Sequence, residues 1–241
     1  MNNERTGTFS SSSISKLMSN GRGAGSIGKP FTTYVEEKSF EKKLGRELQK
    51  EESAKPLRWG HLAEWFAFQN LGIYYKLTSK ARINHLSIDN WSGVPDCLTS
   101  DSVVDIKSCW TLKAFCQMEQ SFKEGLDAFK KLKPEYYWQL VSNGILSGKD
   151  KAELILYIPF KSELEAIKDF IGTPEFFDLD LKEKDYYFIN FSEDEELPFL
   201  NEGGHYNNIT KFSFDIPEED KKALIERVKL ANVELQKLTE L

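Results

Sequence analysis

Asp96, Asp105 and Lys107 are the residues whose types and spacing point most directly to chemistry. They lie in the run from Gly93 to Ser108, Gly-Val-Pro-Asp-Cys-Leu-Thr-Ser-Asp-Ser-Val-Val-Asp-Ile-Lys-Ser, which reads as a β-hairpin. Side chains alternate between the two faces of a strand, so Asp105 and Lys107 share one face while Val104 and Ile106 take the other. An acid and a base then point the same way from a segment with the Val/Ile content of a core strand. Pro95 cannot donate to a ladder, which ends pairing and lets Asp96 stand at a strand end or bulge beside Asp105. Two carboxylates so placed repel unless a cation lies between them. Mg²⁺ suits the position, because it takes oxygen ligands and only one or two protein carboxylates: here Asp96 and Asp105, with the main-chain oxygen of Ile106. Lys107 would orient or deprotonate an attacking water, or neutralise charge building on a phosphoryl group. A solvated hairpin with an acid in its turn is the simpler reading of each residue singly. Their conjunction in a Val-rich strand favours a site, since unpaired buried charge costs several kcal/mol.

The elements around this hairpin must position it. Pro56 opens a strongly apolar, aromatic helix running to Gly72, in which Glu64 needs a partner and a metal is a candidate. Pro134 opens another helix, where Gln139 either bonds within the core or serves a site. Ser10 to Ser13 offer N-cap hydroxyls to a short helix, with a phosphate seat as the alternative; from the residues alone capping is favoured. Gly21 to Pro30 has the outline of a phosphate-binding loop. It is rejected as an ATP site because Pro30 stands where Ser or Thr is needed and spoils the expected helix start; a flexible loop with Arg22 and Lys29 is the better reading. Thr33 to about Glu52 reads as an amphipathic helix with Phe40, Leu44 and Leu48 as its apolar stripe. Strands are expected around Ile73–Leu77 and Ala81–Ile88, at Glu153–Ile158, at Tyr186–Phe191 and at Lys211–Phe214. A long C-terminal helix carries Leu224, Val228, Ala231, Leu235 and Leu238. Lys113, Lys123, Lys130, Lys131 and Lys133 form a solvated face or a DNA-tracking edge.

The chain of 241 residues, 40% of them hydrophobic, supports one substantial core and one domain, 1–241. Its net charge of −6 argues against a protein that coats nucleic acid nonspecifically, though not against a nuclease whose acids hold metal. Cys97, Cys109 and Cys116 have neither disulfide nor zinc spacing, and His61, His85 and His205 show no ligand pattern. With no signal core or membrane-length apolar run, a soluble cytoplasmic protein is expected.

Pro95-Asp96, eight intervening residues and Asp105-Ile106-Lys107 resemble the core signature of the PD-(D/E)XK nuclease superfamily. Over most of its length the chain is similar to the phage lambda exonuclease group, the YqaJ-like viral recombinases. Arg5-x-Gly7 with Ser10-Ser11-Ser12, Trp59-Gly60 followed by Glu64, the hairpin, and Tyr136-x-x-Gln139 match that group's segments in order. The resemblance implies an α/β fold, a central mixed sheet of about five strands flanked by helices with an αβββαβ core. It implies a site in which Glu64, Asp96, Asp105 and the Ile106 carbonyl hold one or two Mg²⁺ or Mn²⁺ ions. Lys107 and Gln139 would attend the attacking water, while Arg5 and Ser12 would hold a terminal 5′-phosphate. The activity it implies is 5′→3′ digestion of linear double-stranded DNA, leaving 3′ tails for recombination in a bacterial or phage-infected cell. A homotrimer and a single-strand annealing protein as partner are further implications. An endonuclease on the same fold, or a DNA-binding module without catalysis, are the rivals. Two departures stand out: Asp105 replaces a frequent Glu, and residues 160–205 read as a divergent or inserted segment.

Overall fold

Two strands buried at most of their positions form the centre of the molecule, and such strands are stable only when both faces are covered. The computed structural model describes residues 6–23, 25–48, 55–72, 74–77, 82–179 and 185–240. In chain order it contains β1 (Phe9–Ser10), a 3-10 helix (Ser11–Met18), α1 (Lys29–Leu44), α2 (Lys55–Asn70), β2 (Lys76–Leu77), β3 (Ile83–Asn84), β4 (Trp91–Gly93) and β5 (Cys97–Leu98). There follow β6 (Ser102–Lys107), α3 (Leu112–Glu124), α4 (Leu126–Leu132), α5 (Pro134–Ser147), β7 (Lys151–Tyr157), α6 (Lys161–Phe170), α7 (Pro174–Asp178), α8 (Tyr187–Phe191), β8 (Ile209–Asp215) and α9 (Glu218–Glu240).

The main sheet runs β2-β5-β6-β7-β8. Its central pair, β6 and β7, is parallel with Asp105 opposite Leu154, and its other pairings are antiparallel. The fold is thus α/β with a mixed sheet of five strands, as the resemblance implies. A second, three-stranded sheet, β1-β4-β3, was not anticipated.

Alternation divides the core in two. Val103, Leu154 and Leu156 face one layer with Leu140, Val141, Leu224, Val228 and Ala231, from α5 and α9. Val104, Ile106, Ile155 and Tyr157 face the other, with Trp59, Leu62 and Ala63 of α2 and Leu164 and Ile167 of α6. β6 is therefore clamped between α5 and α2. The turn ending α5 is made by Gly148, left-handed at φ 65°, a conformation glycine adopts without a Cβ penalty. Gly93 is required for a different reason: a Cβ there would collide with the side chains of Asn143 and Ser11.

Three expectations are corrected. Helix α1 starts at Lys29, and Pro30 sits in its first turn, where no intrahelical N–H is lost, so the proline does not spoil this helix start. Its buried apolar face is Phe31, Tyr34 and Val35, whereas Phe40 and Leu44 are 52% and 56% exposed; of the buried three only Phe31 lies ahead of the expected start at Thr33. Tyr187–Phe191 is helical rather than extended, because one turn suffices to bury Ile189 against the α2 layer, and packing overrides the β preference of its aromatics.

Candidate active site

The acids and the lysine meet beside β6, where β5 has not yet begun to pair. Pro95 and Asp96 carry the chain from β4 in the small sheet to β5 in the main one, and the first β5 partner, Cys97, lies opposite Val104. The main-chain N–H of Ile106 therefore has no strand partner on that side. It donates instead to Asp96 Oδ2 at 2.8 Å. The N–H and C=O of one strand residue point to the same edge, so the Ile106 carbonyl also faces the Asp96 side.

Asp105 is fully buried. Gln139 Nε2, reaching down from α5, donates to Asp105 Oδ1 at 2.8 Å. Lys107 Nζ stands 2.7 Å from Asp105 Oδ2, the two residues sharing one face of the strand. That contact is ionic without hydrogen-bond geometry, which leaves Oδ2 a buried oxygen met by charge alone. From the opposite layer α2 is pinned to the end of β6 by Trp59 Nε1, which donates to Ser108 Oγ at 3.1 Å. Glu64, one turn further along α2, is close enough for its charge to act on both Asp96 and Lys107.

Charge crowding sets the electrostatics. Burial, then the neighbouring Asp105 carboxylate, push the Asp96 carboxyl well above the usual range; Lys107 and the Ile106 N–H oppose this, and Glu64 adds to it. Burial disfavours the Lys107 ammonium, but Asp105, Asp96 and Glu64 outweigh it and hold Lys107 above the ordinary lysine value. Three acids thus share one cation.

These residues fit a hard divalent ion. Their donors are all oxygens, the carboxylates outnumber the lysine, and one buried carboxylate oxygen has no directional bond. Among the described residues, no three His, Cys, Asp or Glu side chains are already gathered around one point.

Gln139, which bonds Asp105, also lines a cleft of about 480 Å³. Ser12 lines the same cleft, 3.2 Å from Ser10 Oγ. The serine run divides its work: Ser11 is buried, its Oγ 2.8 Å from Ser142 Oγ, while Ser12 is exposed to the cleft. Ser10, the N-cap residue, makes no side-chain cap bond, so the capping expectation fails there. Arg5 lies outside the described residues. Sequence reasoning missed Arg82, which lines the cleft from just before β3, and gave no role to the ring of Tyr136, flanked by Lys107 at 5.5 Å and Lys133 at 5.3 Å. A lone arginine before a two-residue strand carries no sequence signal.

Lys130, in the lysine run read as a solvated face or a DNA-tracking edge, is bound at 2.7 Å to Asp220 at the start of α9. His85 stacks on Trp91 at 4.8 Å, and its Nδ1 accepts the N–H groups of Ser87 and Ile88. The three cysteines are free, and burial pushes the Cys97 thiol up to about 12, an unreactive state at neutral pH. Among the described residues, no helix is long and apolar enough to cross a membrane.

The fold is that of known exonuclease structures. It superposes on the alkaline exonuclease LHK-Exo from Laribacter hongkongensis with a TM-score of 0.61 at 15% identity, covering 98% of this chain and 91% of that one. The complex of LHK-Exo with dAMP gives the same values. A phage-related exonuclease from Haemophilus somnus 129PT superposes with a TM-score of 0.59 at 16% identity, covering 97% and 95%. No protein-family model and no curated protein sequence matches the chain.

Proposed function

We propose that the protein is a metal-dependent deoxyribonuclease that degrades linear double-stranded DNA from its ends, 5′→3′, leaving 3′ single-stranded tails for recombination. The observation carrying this reading is the convergence of Asp96, Asp105 and Lys107 beside β6, with Gln139 of α5 bonded to Asp105 at 2.8 Å. The likeness to exonuclease folds supports it. In this reading Asp96, Asp105 and the Ile106 carbonyl, with Glu64 as a further acid, hold Mg²⁺ or Mn²⁺, which when bound acidifies water and polarises a phosphoryl oxygen.

The protein's own groups have separable roles. Gln139 fixes the Asp105 carboxylate through Oδ1 and, lining the cleft, links it to the space a DNA strand would enter. Lys107, held as an ammonium by three carboxylates, donates to the attacking water and to phosphoryl oxygens on which charge accumulates. Tyr136 keeps that ammonium in place by offering the face of its ring. Tyr136→Phe should therefore cleave at the wild-type rate, while Tyr136→Leu should lose roughly five- to ten-fold in single-turnover rate. Equal rates in the two variants would remove the ring from this role.

The deciding experiment follows linear duplex DNA, labelled at either end and with or without a 5′-phosphate, beside a closed circle, in Mg²⁺ and in EDTA. The expected result is metal-dependent loss of the linear DNA alone, faster with the phosphate and proceeding from the 5′ end. Cutting of the circle would make the protein an endonuclease. DNA binding without cutting in either Mg²⁺ or Mn²⁺ would leave a non-catalytic module.

A further inference from the structure

We propose that Asn143 is a positioning residue of the site: set against Gly93, it fixes how far the strand leading to Asp96 stands from the helix that carries Gln139, and through that distance the affinity for the metal ion. The inference rests on the proposed metal site. Asn143 follows Gln139 by one turn on α5 and is fully buried. Among the described residues, neither polar atom of its amide has a hydrogen-bond partner. Each unmet buried group costs about 1–3 kcal/mol, which an apolar side chain would not incur. The polar groups around it are satisfied: Ser142 Oγ accepts the Trp91 Nε1–H at 2.9 Å and lies 2.8 Å from Ser11 Oγ.

What Asn143 meets instead is backbone. A Cβ at Gly93 would overlap Asn143 Oδ1 and Ser11 Oγ, so β4 passes closer to α5 and the 3-10 helix than any residue but glycine permits. An amide oxygen is smaller than a methyl group and carries no hydrogens, so it admits this approach where leucine would hold the strand off. The Gly93 hydrogen that stands where a Cβ would be points at it, a weak attraction. Gly93 is paired with Ile83 on its β3 side, so the contact bears on a strand already fixed in the small sheet. Asp96 comes three residues later, after Pro95, whose ring locks φ and leaves little slack. Asp96 accepts the Ile106 N–H at 2.8 Å, and Gln139, on the same helix as Asn143, donates to Asp105 at 2.8 Å. The spacing of β4 and α5 thus bears on both carboxylates, and Mg²⁺ demands near-ideal geometry of its oxygens.

The test titrates the DNA-free protein with Mn²⁺, following the electron paramagnetic signal of the free ion, and melts each variant in EDTA. Gly93→Ala is expected to weaken Mn²⁺ binding roughly ten-fold or more, the size of effect that groups outside the ligand set have on a metal. Asn143→Ala, which lets the strand settle inward, should weaken it to a similar degree. Combining Gly93→Ala with Asn143→Ala and Ser11→Ala should recover most of the affinity, because the new methyl fills the space its two obstacles leave. Should Gly93→Ala not fold, Asn143→Ala decides. Wild-type Mn²⁺ affinity in Asn143→Ala overturns the assignment even if that variant melts early, since a purely structural role moves the melting temperature and not the affinity of the folded protein. A triple variant that binds no better than Asn143→Ala overturns it as well. A wild type that binds Mn²⁺ while the variants fail this pattern refutes the inference alone; one that binds no Mn²⁺ refutes the metal site itself.

Discussion

Lys107→Met is expected to abolish cleavage and to destabilise the protein at neutral pH. The loss of rate should be at least about 10²–10³, the magnitude associated with removing one preorganised donor from a developing charge. The loss of stability should be about 3 kcal/mol, because Asp105 is fully buried and the variant leaves its carboxylate with Gln139 but no counter-charge. Urea denaturation, together with single-turnover cleavage, measures both effects. Adding Asp105→Asn should restore part of the stability and none of the activity. Wild-type cleavage by Lys107→Met would refute the site, and wild-type stability in that variant would refute Lys107 as the counter-charge of Asp105.

Asp96→Asn should act oppositely on stability. The Asn carbonyl oxygen still accepts the Ile106 N–H, while the charge that burial, Asp105 and Glu64 make unfavourable is gone. The Asp96 carboxyl is raised above its unfolded value, so in the metal-free protein its stabilising contribution is present in acid and lost as pH rises through the folded value. At neutral pH the variant should therefore melt higher than wild type in EDTA, by a few degrees for a gain of about 1 kcal/mol. It should also be inactive. Mg²⁺ should raise the melting temperature of wild type and leave the variant nearly unmoved, since only a protein that binds the ion is stabilised by it. A variant that melts at or below wild type in EDTA would show that Asp96 is not under repulsion. Equal stabilisation of both proteins by Mg²⁺ would remove Asp96 from the ligand set.

The hairpin was legible in the sequence because a strand's period of two is local. Asp105 and Lys107 share a face, Val104 and Ile106 take the other, and Pro95 keeps Asp96 out of the ladder, whatever the rest of the chain does. Helices α2 and α5 were legible for the same reason, through an opening proline and a buried apolar face. What faces what was not. Gln139 on Asp105, Trp59 on Ser108 and Tyr136 against Lys107 join residues far apart in the chain, and only the packing of α5 and α2 on opposite faces of β6 brings them together. The same packing sent Tyr187–Phe191 into a helix against its propensity, and buried Ser11 against Ser142 while leaving Ser12 exposed. The sequence by itself determined which residues carry charge on one strand face, because that depends on backbone geometry alone. Tertiary structure decided that Arg82 and Ser12 share a cleft with Gln139, because side chains on separate elements meet only where the cores beneath those elements close.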